Sequence, residues 1–223
     1  MRASNRVRLG KMTHPVRGFL HGSAGVVSLI ATALLVGLAT TDVSGRIALL
    51  LFGLSLVALY TTSSLYHSVP WTRDWKRRMQ KLDHLMIHVL TAGTYTPIAV
   101  IVFDGWLEVV TLVVQWGIVA VALVHKLVAQ RMGSVSVALA TTQGWLALFL
   151  LWPLAQRLPW TAIVVIAFGG LLYTVGMVFL VTGWPKLWPR SFSYHEVFHV
   201  LVILASGVHF FFIARWVSGY GGV

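Results

Sequence analysis

The sequence predicts an all-α polytopic membrane protein, a bundle of seven spanning helices, and three observations lead there. Apolar runs of around 20 residues recur along the 223-residue chain, which is 57% hydrophobic and has a mean hydropathy of +0.81. That is the length a helix needs to cross the hydrocarbon core of a bilayer. Charged residues make up only 10% and fall in the short gaps between the runs and in the terminal tails. The basic residues among them are divided very unequally between alternate gaps, the signature of a fixed membrane orientation.

The runs predict spans at about 17–39, 46–67, 82–103, 106–125, 134–152, 160–182 and 195–217. Residues 1–14 form a short basic tail resembling the flank of a signal peptide. The run from Phe19 to Ala39 exceeds a signal core, however, and no small-residue cleavage site follows, so it reads as an uncleaved first span. Glycines 18, 22 and 25 in the first span and 169, 170 and 176 in the sixth allow close helix packing. Pro97 removes a backbone donor and should bend the third span. Trp71, Trp75, Trp106, Trp160, Trp184, Trp188 and Trp216 lie near span ends, as interfacial anchors do. The runs are too long, and lack the strict alternation, for a membrane barrel. No internal repeat, low-complexity stretch or extramembrane domain is visible, so residues 1–223 read as one integral membrane domain.

With seven spans, fourteen basic residues fall on one side: Arg2, Arg6, Arg8, Lys11, Arg17, Arg73, Lys76, Arg77, Arg78, Lys81, Lys126, Arg131, Lys186 and Arg190. Only Arg46, Arg157 and Arg215 fall on the other. The N-terminus is therefore expected in the cytoplasm and the C-terminus outside, with the protein in the inner (plasma) membrane. Basic residues so placed serve topology and anionic lipid headgroups, which argues against a nucleic-acid partner. The chain has no cysteine, so disulfides and thiolate ligands are excluded and any metal must be held by His, Asp or Glu.

The stretch Ser193-Tyr194-His195-Glu196-Val197-Phe198-His199 puts two imidazoles one helical turn apart on one face. His67 at the end of the second span, Asp83 at the start of the third and His21 early in the first share the same expected depth. Ionisable groups at membrane depth are costly and are functional by default. His67, His195 and His199 with an open fourth position describe a catalytic zinc site. Water near such a dication ionises around neutral pH, and Asp83 is placed to orient or deprotonate it. Ser63 lies one turn before His67 on the same face. The plainer alternatives are helix-to-helix hydrogen bonds for His88, His125 and His209, a solvated tail position for His14, and packing serines at 63 and 64. His195-Glu196-x-x-His199 also matches the zinc-protease pattern literally, with Glu196 as general base.

The motifs Ser63-Ser64-Leu65-Tyr66-His67, Leu82-Asp83-His84 running to Ala92-Gly93-Thr94-Tyr95-Thr96-Pro97, and His195-Glu196-Val197-Phe198-His199 resemble those of the haemolysin III proteins. These fall within the wider progestin and adiponectin receptor family, and the resemblance covers essentially the whole chain. It implies a seven-helix bundle with a cytoplasmic N-terminus and zinc held by His67, His195 and His199 near the cytoplasmic face. It also implies Asp83 beside the attacking water and Ser63 near the reacting oxygen, with Glu196 a bystander. Relatives including the alkaline ceramidases form a superfamily of membrane hydrolases of lipid amides. One motif departs: His21 is present, but Arg17 stands where the family has Asn and no acidic residue precedes it, so no role is carried over to His21.

Three functions follow as expectations. The leading one is a zinc-dependent hydrolase of a lipid amide or ester, its partners being membrane lipids and a lipid-like substrate. The second is a channel, cytolysin or regulator of membrane energetics with structural zinc. The third is a bis-histidine haem protein using His84 and His88 opposite His195 and His199.

Overall fold

The computed structural model describes residues 12–128, 134–188 and 191–221. The tail residues Arg2, Arg6, Arg8 and Lys11, and also Arg131 and Arg190, lie outside the described residues. Eight α-helices run α1 (Pro15–Leu38), α2 (Val43–Ser68), α3 (Arg73–Pro97), α4 (Gly105–Val128), α5 (Ser134–Trp145), α6 (Ala147–Ala155), α7 (Trp160–Thr182) and α8 (Tyr194–Phe212). Five-residue π-helical segments extend α3 (Ile98–Val102) and α8 (Ile213–Val217). The helices α5 and α6 form a single span with a break at Leu146, so seven helices are long and apolar enough to cross a membrane.

The expected number of spans holds, but the third differs in extent. It starts at Arg73 and not near 82, because the basic segment continues the helix out of the apolar zone. Charged side chains on the extra turns remain hydrated while the backbone keeps its internal hydrogen bonds. Pro97 ends the regular part of α3 and the π-helical segment begins directly after it, the local adjustment by which a membrane helix absorbs a missing donor.

Half or more of the second and third spans is buried (50% and 56%), against 11–17% of the fourth, fifth and sixth. Helices α2 and α3 are therefore the centre of the bundle. Their apolar core joins Phe52, Leu56, Leu90 and Ile98 to Phe212, Ile213 and Val217 at the far end of the last span. Outward-facing residues such as Phe19, Ile30, Val113, Phe149 and Leu171 are more than half exposed, as a lipid-facing surface requires.

Small residues set the helix spacing. Gly22 faces Ser64, Gly25 faces Thr61 and Tyr60, and Gly53 faces Thr32, so α1 and α2 lie in near-backbone contact. Gly169 and Gly176 do the same for α7 against His209, Phe198 and Leu201 of α8. Close approach of this kind replaces the hydrophobic drive that lipid cannot provide. It also brings the C-terminal end of α2 to the N-terminal ends of α1 and α8.

Candidate metal centre

The end of α2 is held unusually firmly for a helix terminus, where the last carbonyls normally lack partners. Thr13 donates through its amide to the Ser68 carbonyl (3.2 Å), and His14 through its amide to the His67 carbonyl (3.1 Å). The Thr13 hydroxyl donates to the His67 carbonyl as well, at 2.6 Å. Lys76 of α3 donates to the Tyr66 carbonyl, placing a cation where the helix dipole favours one. His14, expected in a solvated tail, is instead half-buried, and its ring lies 6.1 Å from that of His67. The approach of α1 to the exposed carbonyls of α2 draws it in. His67 is thereby fixed in position from its backbone.

His67, His195 and His199 converge. Their ring centroids are 5.2 Å (67–195), 4.9 Å (67–199) and 5.0 Å (195–199) apart. One nitrogen from each lies within 4.8 Å of the others, so this group could hold a metal ion. His67 and His199 are buried and His195 half-buried. Nδ1 of His199 is buried with no hydrogen-bond partner, a costly state that an ion or ligand relieves. Three neutral nitrogen donors suit zinc, and no thiolate is present to favour a softer metal. The residues fit such an ion.

Asp83 does not belong to this trio of donors. It is buried at 9% exposure, and Ser63 and Lys76 are the neighbours that bear on its charge. Ser63, also buried, stands one turn before His67. Ser64 does not bond back along its helix but donates to the Gly18 carbonyl of α1 at 2.8 Å.

Glu196 is fully engaged. Its Oε1 accepts from Nε of Arg17 at 2.7 Å, and its Oε2 accepts from the Ser193 amide at 2.9 Å. The second contact is the glutamate arm of a capping box at the start of α8. Both oxygens of the carboxylate are thus turned to structural partners, so the protease reading of His-Glu-x-x-His loses its general base. The Ser-x-x-Glu spacing was available in the sequence and is the signal that identifies this role. Arg17, noted above as one of the basic residues on the expected cytoplasmic side and as a departure from the family motif, supplies the counter-ion. The haem reading loses His88, whose Nδ1 bonds Gln143 of α5 at 2.8 Å.

His21 is brought in and stacks on His199 with centroids 3.9 Å apart. The helix-to-helix reading holds for His88, through Gln143, and for His209 of α8, which stacks on Tyr173 of α7 at 5.5 Å. At His125, Nδ1 is buried without such a bond.

A family profile described as "Haemolysin-III related" matches residues 10–210. The chain belongs to the haemolysin III-related family. It is 31% identical to "Hemolysin-3 homolog" of Bacillus subtilis (strain 168), over 90% of this chain and 89% of that protein. Against "Hemolysin-3" of Bacillus cereus the identity is 28%, over 88% of each chain. It is also 22% identical to the human "Monocyte to macrophage differentiation factor", over 96% of this chain and 88% of that one, a relative from the progestin and adiponectin receptor family. The expected resemblance is confirmed. With seven apolar helices, this haemolysin III-related chain is a multi-pass membrane protein.

Proposed function

We propose that this haemolysin III-related protein is a zinc-dependent hydrolase of a lipid amide or ester in the inner (plasma) membrane, with its site toward the cytoplasmic leaflet. The observation that carries the reading is a converging trio of imidazoles, two of them buried, with the buried Ser63 one turn before His67 and a buried carboxylate, Asp83, outside the donor set. A purely structural metal site has no use for a buried carboxylate outside its donor set, whereas hydrolysis needs one. His67, His195 and His199 would hold the ion. When bound, zinc supplies Lewis acidity and makes water ionise near neutral pH.

The chain's own residues then divide the work. Asp83 takes a proton from the attacking water at its carboxylate. As the carbonyl carbon gains the water oxygen and loses its nitrogen or alkoxy oxygen, Asp83 returns that proton to the leaving group. Ser63 donates to the resting carboxylate, and once Asp83 has taken the proton the single hydroxyl hydrogen of Ser63 turns to the developing oxyanion. The surrounding helices keep bulk water out and admit an amphiphilic substrate from the side.

The test is hydrolysis of a panel of lipid amides and esters by purified protein in detergent. Wild type should release fatty acid. Asp83→Asn should retain metal and lose turnover by a factor of about 100 or more, and His199→Ala should lose both. A metal-loaded wild type that hydrolyses nothing in the panel would count against the enzyme reading.

A second reading is a channel, cytolysin or regulator with structural zinc. It is favoured by polar side chains continuing inward from His21, through Tyr60 (5.1 Å between rings) and the Tyr173–Ser206 hydrogen bond (2.6 Å), to His209. On that reading Asp83→Asn preserves function and His67→Ala abolishes folding.

A further inference from the structure

Positive charge that the bundle does not neutralise collects where α3, α4 and α5 meet. Lys126, in the last turn of α4, is only 2% exposed. A lysine at a span end ordinarily directs its ammonium outward to water; this one turns inward and donates to the hydroxyl of Ser136, itself buried in the first turn of α5. Lys81 and His84 of α3 stand near enough for their charges to be felt at Lys126 and from it, and both are half-buried. Lys126 and Ser136 thus join α4 to α5 in one buried contact, with the charges of Lys81 and His84 of α3 close enough to bear on it.

No carboxylate answers them. Of the six in the chain, Asp83 is engaged by Ser63 and Lys76, and Glu196 by Arg17. Asp104 faces Arg157 at the other end of the bundle, where Asp42 caps α2 and Glu108 begins α4. Asp74 is exposed in the first turn of α3, two turns before Lys81. Residues 129–133, which join α4 to α5, are Ala-Gln-Arg-Met-Gly and contain no acid. The first turn of α5 has no acidic residue either, so its free amides add to the positive field. A buried ammonium set against the positive end of a helix, with another lysine beside it, is an unfavourable arrangement on its own.

We infer that Lys126, Ser136, His84 and Lys81 form a binding site for a phosphate group at this end of the bundle. Two ammonium groups, a hydroxyl and an imidazole can each donate to a tetrahedral oxyanion, and a charge-assisted contact to Lys126 would replace the hydration that burial removes. Lys126 is two residues from the end of α4, about 3 Å along the axis, so a headgroup at the end of this span would come within its reach. The phosphate can come from such a headgroup or from inorganic phosphate. The site is separate from the imidazole trio and does not depend on the proposed hydrolysis.

The test follows thermal unfolding of the full chain in detergent. It is titrated with phosphatidylglycerol, with diacylglycerol of the same acyl chains, and with inorganic phosphate. Wild type should be stabilised by phosphatidylglycerol and not by diacylglycerol. Lys126→Met should need about tenfold more phosphatidylglycerol for the same shift. Lys186→Met, which removes an exposed charge at the same end, should behave as wild type, and Lys126→Arg should recover most of the response. Equal, Lys126-dependent stabilisation by inorganic phosphate assigns the site to the free ion; a response to the lipid alone assigns it to a headgroup. Ser136→Ala keeps the ammonium and removes one donor, so it should bind more weakly even where Lys126→Met cannot be purified. Identical titrations for wild type, Lys126→Met and Ser136→Ala would overturn the site.

Discussion

Glu196 shows how much one carboxylate's partners decide. Read along the chain it is the middle of a protease-like motif; in space it is a cap and half of a buried ion pair. Both partners of that pair have side chains 8% exposed. Removing one strands a charge in a medium that solvates it poorly, at a cost of about 3–5 kcal/mol, while replacing both with apolar groups costs far less. Arg17→Met should therefore lower the thermal midpoint in detergent sharply, and the double variant Arg17→Met/Glu196→Met should recover much of it. Glu196→Gln should keep its metal and its turnover. If that variant instead folds, binds metal and is catalytically dead, the base is Glu196 and the assignment to Asp83 is wrong.

At the scale of helices, polar side chains act as clasps between spans whose mutual attraction in lipid is weak. Gln143 is the clearest case. Its amide donates to the carbonyls of His88 (3.2 Å) and Gln115 (3.3 Å), and its oxygen meets Nδ1 of His88, tying α5 to α3 and α4. Tyr95 reinforces the same contact through the Gly144 carbonyl at 2.9 Å. Gln143→Leu should destabilise the bundle by about 2 kcal/mol without altering metal content, since α5 contributes nothing to the imidazole trio. The start of α2 offers a pH-dependent counterpart. Asp42 accepts from the Gly45 amide at 2.8 Å and from the Ser44 hydroxyl, and these bonds hold its carboxyl below its ordinary value of 3.8. A carboxylate with a depressed value contributes stability above the ordinary value and loses it as pH falls through the depressed one. Amide exchange at Val43–Arg46, corrected for its intrinsic pH dependence, should lose protection over that interval, and Asp42→Asn should remove the pH dependence.

For the molecule as a whole, the basic end is the end that carries the imidazole trio, Asp83 and the Lys126 cluster. The expected orientation puts it in the cytoplasm. Because the chain has no cysteine, single cysteines report orientation directly. Arg73→Cys should resist a membrane-impermeant maleimide in intact spheroplasts and react after lysis. Asp104→Cys should react in both. The reverse pattern would place the site at the outer leaflet and remove the case for an inner-leaflet substrate.

The sequence by itself determined the spans, the basic asymmetry and the set of groups able to meet at one depth. Apolar run length and charge placement are properties of the chain read against a bilayer of fixed thickness, and no packing detail can change them. His67, Asp83, His195 and His199 were legible for the same reason: a titratable side chain inside an apolar run stands out wherever its helix packs. Only the tertiary structure decided which of them touch. It brought in His14 through hydrogen bonds to the end of α2 and turned His88 toward Gln143 of α5. It also paired Arg17 with Glu196 across 179 positions of sequence. Helical periodicity fixes depth and face within one span, but the rotation of each span against its neighbours is set by small-residue contacts such as Gly22–Ser64 and Gly53–Thr32. That rotation chooses partners, and it exists only once the helices have packed.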